Sequence, residues 1–180
     1  MTQDIRPAHI AIVTVSDRAS RGEYPDKGGP GADDWLRATI TSPMQITRRI
    51  IPDGRASVAE TLRQLCDAES ADLILITGGT GPAPRDETPE GMGDIMEKEL
   101  PGFGEEMRRA SLREVPTAIL SRQTAGIRGK TLMITIPGKP SAIATCLDAV
   151  FAAVPYCLDL IGAARIETDP ARITAFRPKA

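Results

Sequence analysis

The chain has 180 residues, with 22 basic and 24 acidic side chains and a formal net charge of −2. That length suits one domain, which buries roughly 70% of its unfolded surface, and the balanced charge argues against a general nucleic-acid or membrane-surface partner. Aromatic residues, at 3%, are too scarce for a base-stacking platform, and one histidine (His9) with three dispersed cysteines (Cys66, Cys146, Cys157) excludes the usual zinc sites and disfavours a Ser-His-Asp hydrolase.

The cysteines form no CxxC pair and fall in apolar helical patterns, so they read as reduced core thiols of a cytoplasmic protein. No run of 18 apolar residues occurs, which argues against a membrane-spanning helix, and the N-terminus lacks the apolar region of a signal peptide. Residues 10–15 (IAIVTV) are nearly all apolar and predict a strand covered on both faces. A polar, glycine-rich stretch, 16–31, follows at that strand's C-terminal end, where α/β folds place ligands; it opens with Ser16 and Asp17. Residues 33–41 predict a helix with Trp35, Leu36 and Ile40 on one face, and 44–51 a second strand stopped by Pro52-Asp53-Gly54. Val58, Leu62, Leu65 and Cys66 mark the next helix, for which Ser57 is the best N-cap. Residues 72–76 predict the third strand.

That strand runs into TGGTGPAPRDETPE (77–90), the stretch richest in chemistry. Gly78, Gly79 and Gly81 permit positive φ and a nest of free N–H groups suited to an anion. Thr80 adds a hydroxyl, Arg85 a fork-shaped cation, and Asp86 a carboxylate of the kind that accompanies Mg²⁺ beside phosphates. Thr88 and Pro89 resemble an N-cap and first helical residue. The stretch matches neither the Gly-Lys-Ser/Thr ending of a P-loop nor GxGxxG.

Beyond it, a short helix is predicted to about Glu99, then a second through Phe103, Met107 and Ala110. Residues 118–123 read as a strand, 127–130 as a turn, and 131–136 (TLMITI) as a strand entering Pro137-Gly138-Lys139-Pro140-Ser141, a second candidate anion turn. Ile143, Leu147, Val150, Val154, Leu158 and Ile161 keep helical spacing, interrupted at Pro155. The tail, 163–180, has little periodicity and is a candidate for packing on a neighbouring subunit. The alternation of strands and helices predicts a three-layer αβα sandwich with a mostly parallel mixed sheet. One rim of that sheet should then carry both anion turns and the carboxylates of Asp17, Asp53 and Asp86.

VSDRAS (15–20), Pro52-Asp53, TGGTG (77–81), PRDETPE (84–90), PGFGE (101–105), ILSR (119–122) and IPGKPS (136–141), in this order, resemble the molybdopterin adenylyltransferase family of molybdenum cofactor biosynthesis. The resemblance spans nearly the whole chain. It implies a homotrimer that binds molybdopterin and MgATP, transfers AMP to the terminal phosphate of molybdopterin and releases pyrophosphate. The product would pass to a molybdenum-inserting enzyme. By position, Asp53 and Asp86 match the family's acidic pair, to which catalysis and Mg²⁺ are assigned. Gly78, Gly79, Thr80, Ser121 and Arg122 are then expected to bind molybdopterin. Ser16, Asp17, Gly81, Arg85, Gly138 and Ser141 are expected on the nucleotide. Thr135 departs from the pattern, since relatives often carry Asn there. A molybdopterin-binding module, or a weakly adenylating paralogue, stays open as the alternative.

Overall fold

The computed structural model describes residues 6–179. They form a six-stranded sheet in the order β2-β1-β3-β6-β5-β4. Its strands are β1 (Ala8–Val15), β2 (Met44–Ile51), β3 (Leu73–Thr77), β4 (Lys98–Glu99), β5 (Ala125–Arg128) and β6 (Thr131–Ile136). The first four in spatial order run parallel, while β4–β5 and β5–β6 pair antiparallel. Alternation along each central strand sends side chains to opposite faces. Ile10, Ile12, Leu73, Leu75, Leu132 and Ile134 enter one core, against Trp35, Leu36, Ile143, Leu147 and Phe151. Ala11, Val13, Ile74, Ile76 and Met133 enter the other, against Val58, Leu62, Leu65 and Met92. The covering helices on the first face are α2 (Gly28–Thr39), α5 (Pro101–Ser111), α6 (Pro140–Val150) and α7 (Val154–Ile161). On the second they are α3 (Arg55–Arg63) and α4 (Thr88–Gly93). The expected three-layer αβα architecture is therefore the observed one.

Several local expectations give way to tertiary contacts. The stretch 16–31 is not one long loop, because it folds into α1 (Asp17–Ser20) and the first turn of α2. Asp26 makes the early start of α2 possible by accepting from the Gly29 N–H at 3.0 Å and the Thr14 hydroxyl at 3.0 Å. Helix α3 begins at Arg55 behind Gly54, so Ser57 is inside the helix and is not its cap. Thr88 is no N-cap either; its hydroxyl donates to the Gly78 carbonyl at 2.9 Å and its N–H to Gly79 at 3.1 Å, tying α4 to the glycine turn. Residues 116–120 form a 3-10 helix in place of the expected strand, with Ile119 68% exposed and so unavailable to a sheet core. The expected turn at 127–130 is partly strand: β5 and β6 make a hairpin around Gly129. The helical run near the C-terminus divides at a 3-10 turn, Phe151–Ala153, and Pro155 falls at the start of α7, where a missing N–H costs nothing.

Pro140–Ile161 is long and apolar enough, by length and composition, to pass for a membrane span. Ile143, Leu147, Phe151, Val154 and Leu158 spend that apolarity on the core of the sheet.

The tail runs along its own chain. Ala164 N–H donates to buried Asp72 at 2.8 Å, Asp169 N–H to the Thr39 carbonyl at 2.8 Å, and Phe176 N–H to the Ala152 carbonyl at 2.9 Å. His9 is satisfied in the sheet by the Glu69 carbonyl and the Thr47 hydroxyl, each at 3.1 Å, at the end of β1 away from the glycine turn.

Candidate active site

The C-terminal ends of β1, β2, β3 and β6 form one rim, and the loops leaving them interlock there. After β1, Ser16 caps α1 by accepting from Ala19 N–H at 3.2 Å. Asp17 N–H donates to Asp53 Oδ2 at 2.7 Å, while Asp53 N–H donates to Asp17 Oδ1 at 3.1 Å. Arg85 closes this pair from the third loop. Its Nε and Nη2 reach Asp17 Oδ2 and Oδ1 at 3.0 and 2.9 Å, and Nη2 also donates to the Asp53 carbonyl at 2.9 Å. The guanidinium holds the Asp17 carboxyl below its ordinary pKa.

The glycine turn after β3 is left-handed at Gly78 (φ 98°) and Gly79 (φ 64°). A Cβ at Gly78 would lie 2.4 Å from the Val15 carbonyl oxygen, and one at Gly79 would lie 2.2 Å from the Thr88 hydroxyl. Backbone conformation and close packing thus both demand glycine here. The N–H groups of Gly79, Thr80 and Gly81 donate to no protein acceptor among the described residues, the condition for an anion nest. Asp86 Oδ2 accepts from Ala83 N–H at 3.1 Å, which folds the loop back beneath Gly81. Arg122 braces the same loop. Its Nε donates to the Gly81 carbonyl at 3.0 Å, and its two terminal nitrogens engage the Asp86 carbonyl and Glu90. Arg122 is therefore placed as a brace rather than as an open cation.

Two cavities adjoin at the turn 137–141. One, of about 310 Å³, is lined by Ser16, Asp26, Gly78, Gly138 and Lys139 among others. The second, of about 250 Å³, is lined by Ser121, Gln123, Lys139 and Ser141. Lys139 belongs to both walls. Asp53, Arg85 and Asp86 line neither cavity; they crown the adjacent rim.

A family model described as a probable molybdopterin binding domain matches residues 11–156. The chain belongs to this family. It is 48% identical over 171 residues to the molybdopterin adenylyltransferase of Helicobacter pylori strain 26695, covering 95% of this chain and 97% of that protein. Against the Escherichia coli K12 molybdopterin adenylyltransferase it is 46% identical over 182 residues, covering 94% and 93%. Among solved structures, the molybdopterin biosynthesis enzyme MoaB of Thermus thermophilus superposes with TM-score 0.78 at 39% identity, covering 86% of this chain and 96% of that one. The molybdopterin biosynthesis Mog protein of Mycobacterium ulcerans gives TM-score 0.79 at 35% identity, with 86% and 99% covered.

Asp53 and Asp86 fit a role toward Mg²⁺ within limits set by their own bonds. Each commits one carboxylate oxygen to a backbone N–H, and Oδ1 of each takes no hydrogen bond from the described residues. Two hard oxygen donors suit Mg²⁺, which commonly takes one or two carboxylates and completes its shell with water and phosphate. No group of three or more His, Cys, Asp or Glu side chains among the described residues makes a closed cage.

Thr135 is fully buried in β6. Its hydroxyl bonds the backbone of Thr124 in both directions, at 2.8 and 3.0 Å, so its role is in the sheet and not on a ligand. The sequence reading missed Gln123, Arg108, Lys139 as a shared wall, and the bracing by Glu90. A glutamine directly after the ILSR motif was the one available signal for the first of these.

Proposed function

We propose that this chain is a molybdopterin adenylyltransferase, transferring AMP from MgATP to the terminal phosphate of molybdopterin and releasing pyrophosphate. The observation that carries this reading is the pair of cavities divided by the turn 137–141 and crowned by the Asp17–Asp53–Arg85 cluster. A reaction that joins two phosphorylated substrates needs two adjoining clefts and charge neutralisation between them. The extensive identity to adenylyltransferases supports the same activity.

In this reading the pterin end of molybdopterin occupies the cleft of Ser121, and its phosphate approaches the nest at Gly78, Gly79 and Thr80. The nucleotide contacts Ser16 and Gly138 in the other cleft and Gly81 on the rim, whereas Ser141, expected on the nucleotide, lines the Ser121 cleft instead. A phosphate oxygen of molybdopterin attacks the α-phosphorus of ATP, and the bond to the β-phosphate breaks with its electron pair leaving on pyrophosphate. The attacking oxygen is already anionic, so no histidine or thiol base is required. Arg85, fixed by Asp17, places positive charge beside Asp53, and the nest N–H groups stabilise charge on the transferring phosphate. Asp53 and Asp86 would hold Mg²⁺, which neutralises phosphate charge when bound. We place the enzyme in the cytoplasm as a homotrimer that hands its product to a molybdenum-inserting enzyme.

The test is a product assay with molybdopterin, ATP and Mg²⁺. Wild-type protein is expected to form adenylyl-molybdopterin and pyrophosphate. Asp86→Asn is expected to bind molybdopterin near wild-type affinity and to lose turnover. Tight molybdopterin binding with no product from the wild type would make the chain a binding module.

A further inference from the structure

Gln123 is 3% exposed and stands at the back of the smaller cavity. Its amide oxygen accepts from the Ser121 hydroxyl at 2.8 Å. Its amide nitrogen points to two sulfurs, Cys146 Sγ at 3.3 Å and Met107 Sδ at 3.7 Å. The opposite orientation would set the amide oxygen against the Met107 thioether, which has no hydrogen to give, and leave it only the weak S–H of Cys146, which also faces the Ser111 hydroxyl at 3.6 Å. The Ser121 hydroxyl therefore spends its single hydrogen inward, and its lone pairs are what it offers the cleft.

The rest of the neighbourhood fixes this arrangement. Arg108 Nη1 on α5 donates to the Gln123 carbonyl at 2.7 Å and to the Ser121 carbonyl at 3.3 Å. Helix α5 can come this close because residue 104 is glycine; a Cβ there would lie 2.0 Å from the Gln123 carbonyl oxygen. The PGFGE motif thus acts as a platform for the segment 121–123.

We propose that Gln123 is a positioning residue that presents Ser121 to the ligand as a hydrogen-bond acceptor, so that the cleft selects an N–H-bearing edge of the pterin. This rests on the molybdopterin reading of the cleft. An N–H edge satisfies the Ser121 lone pairs, whereas a carbonyl edge would face them unpaired.

The test uses the full chain and molybdopterin itself. Gln123→Met keeps the volume and the apolar contact with Cys146 and Met107 but removes the acceptor. The expected result is molybdopterin Kd raised about three- to tenfold, as for one lost hydrogen bond. The KM for ATP and kcat at saturating molybdopterin stay unchanged. Added to Ser121→Ala, the substitution has no further effect on Kd, because the hydroxyl it positions is gone. Gln123→Asn, which withdraws the amide oxygen by one methylene, serves where the methionine variant fails to fold and is expected to act in the same direction. An unchanged Kd, an equal shift in the KM for ATP, or additive effects with Ser121→Ala would overturn the proposal while leaving the functional reading intact. Wild-type protein that binds no molybdopterin would overturn both.

Discussion

Asp17 and Asp53 exchange hydrogen bonds, each carboxylate accepting the other's backbone N–H, at 2.7 and 3.1 Å. The residues are 36 positions apart, on loops leaving adjacent parallel strands. The exchange fixes the direction of the Asp53 carboxylate and leaves its Oδ1 open to the rim. Asp17 is thereby a support for Asp53 and the anchor of Arg85 at once.

Asp17→Ala is expected to lower adenylation about tenfold, since it removes the acceptor for Asp53 N–H and frees Arg85. Asp17→Asn keeps a side-chain oxygen for Asp53 N–H and should recover most of that loss. Steady-state kinetics of the two variants, with thermal melts to show that both are folded, decide the point. Equal losses in both would mean that the charge on Arg85 matters and the Asp53 exchange does not.

Asp72 ties four parts of the chain together at the opposite end of the sheet. It is 2% exposed and accepts from Arg6 at 2.6 and 2.9 Å, from His9 N–H at 2.9 Å and from Ala164 N–H at 2.8 Å. Burial opposes its charge, but Arg6 and the two amides outweigh burial and hold its pKa below the ordinary value. A depressed folded pKa stabilises the protein above the unfolded value, about 3.9, and that contribution is lost as pH falls through the folded pKa. Asp72→Ala should cost about 2–3 kcal/mol in urea unfolding at neutral pH, through two orphaned amides. The variant should also lose less stability than wild type on acidification below about pH 4.

Two glycines of one helix should respond oppositely to alanine. Gly104→Ala forces α5 away from the Gln123 carbonyl, 2.0 Å from the new Cβ, and should cost about 1–3 kcal/mol. Gly102→Ala meets nothing within 4 Å and should leave stability unchanged or raise it by up to about 1 kcal/mol. Denaturant melts of the pair separate close approach from general helix propensity.

Cys66 should be inert in the native protein. Burial pushes its thiol up to about 11. The thiolate fraction near pH 8 then falls about a hundredfold below that of an ordinary cysteine. Iodoacetamide labelling should therefore be slow at Cys66 until denaturant is added, and rapid native labelling would contradict its half-buried place against the core.

Much of the architecture was legible because it follows from local pattern. The apolar runs at 10–15, 72–76 and 131–136 can be satisfied only by strands buried on both faces, and those strands with helices between them permit few topologies. The dense TGGTG and PRD motifs marked the rim for the same reason: several chemically loaded residues fall within a single loop. Where neighbours in space overrule neighbours in sequence, local reading failed. Residues 118–123 have strand-like composition, yet the place beside β6 is taken by β5, with β4 beyond it at the edge, and Pro116–Leu120 coils instead. Thr88 has the chemistry of a cap, yet its hydroxyl is claimed by Gly78, ten residues away.

By itself the sequence determined the layered α/β fold, the glycine turn, and which carboxylates lie at strand ends. Periodicity and motif spacing are properties of contiguous residues, so no contact need be known to read them. Only the tertiary structure decided what each charged group is free to do. It bound Arg85 to Asp17, turned Arg122 into a brace across the Gly81–Asp86 loop, and set Gln123 behind Ser121. Those partners come from separate elements, and a side chain's hydrogen-bonding capacity is known only once its competitors for that bond are in place.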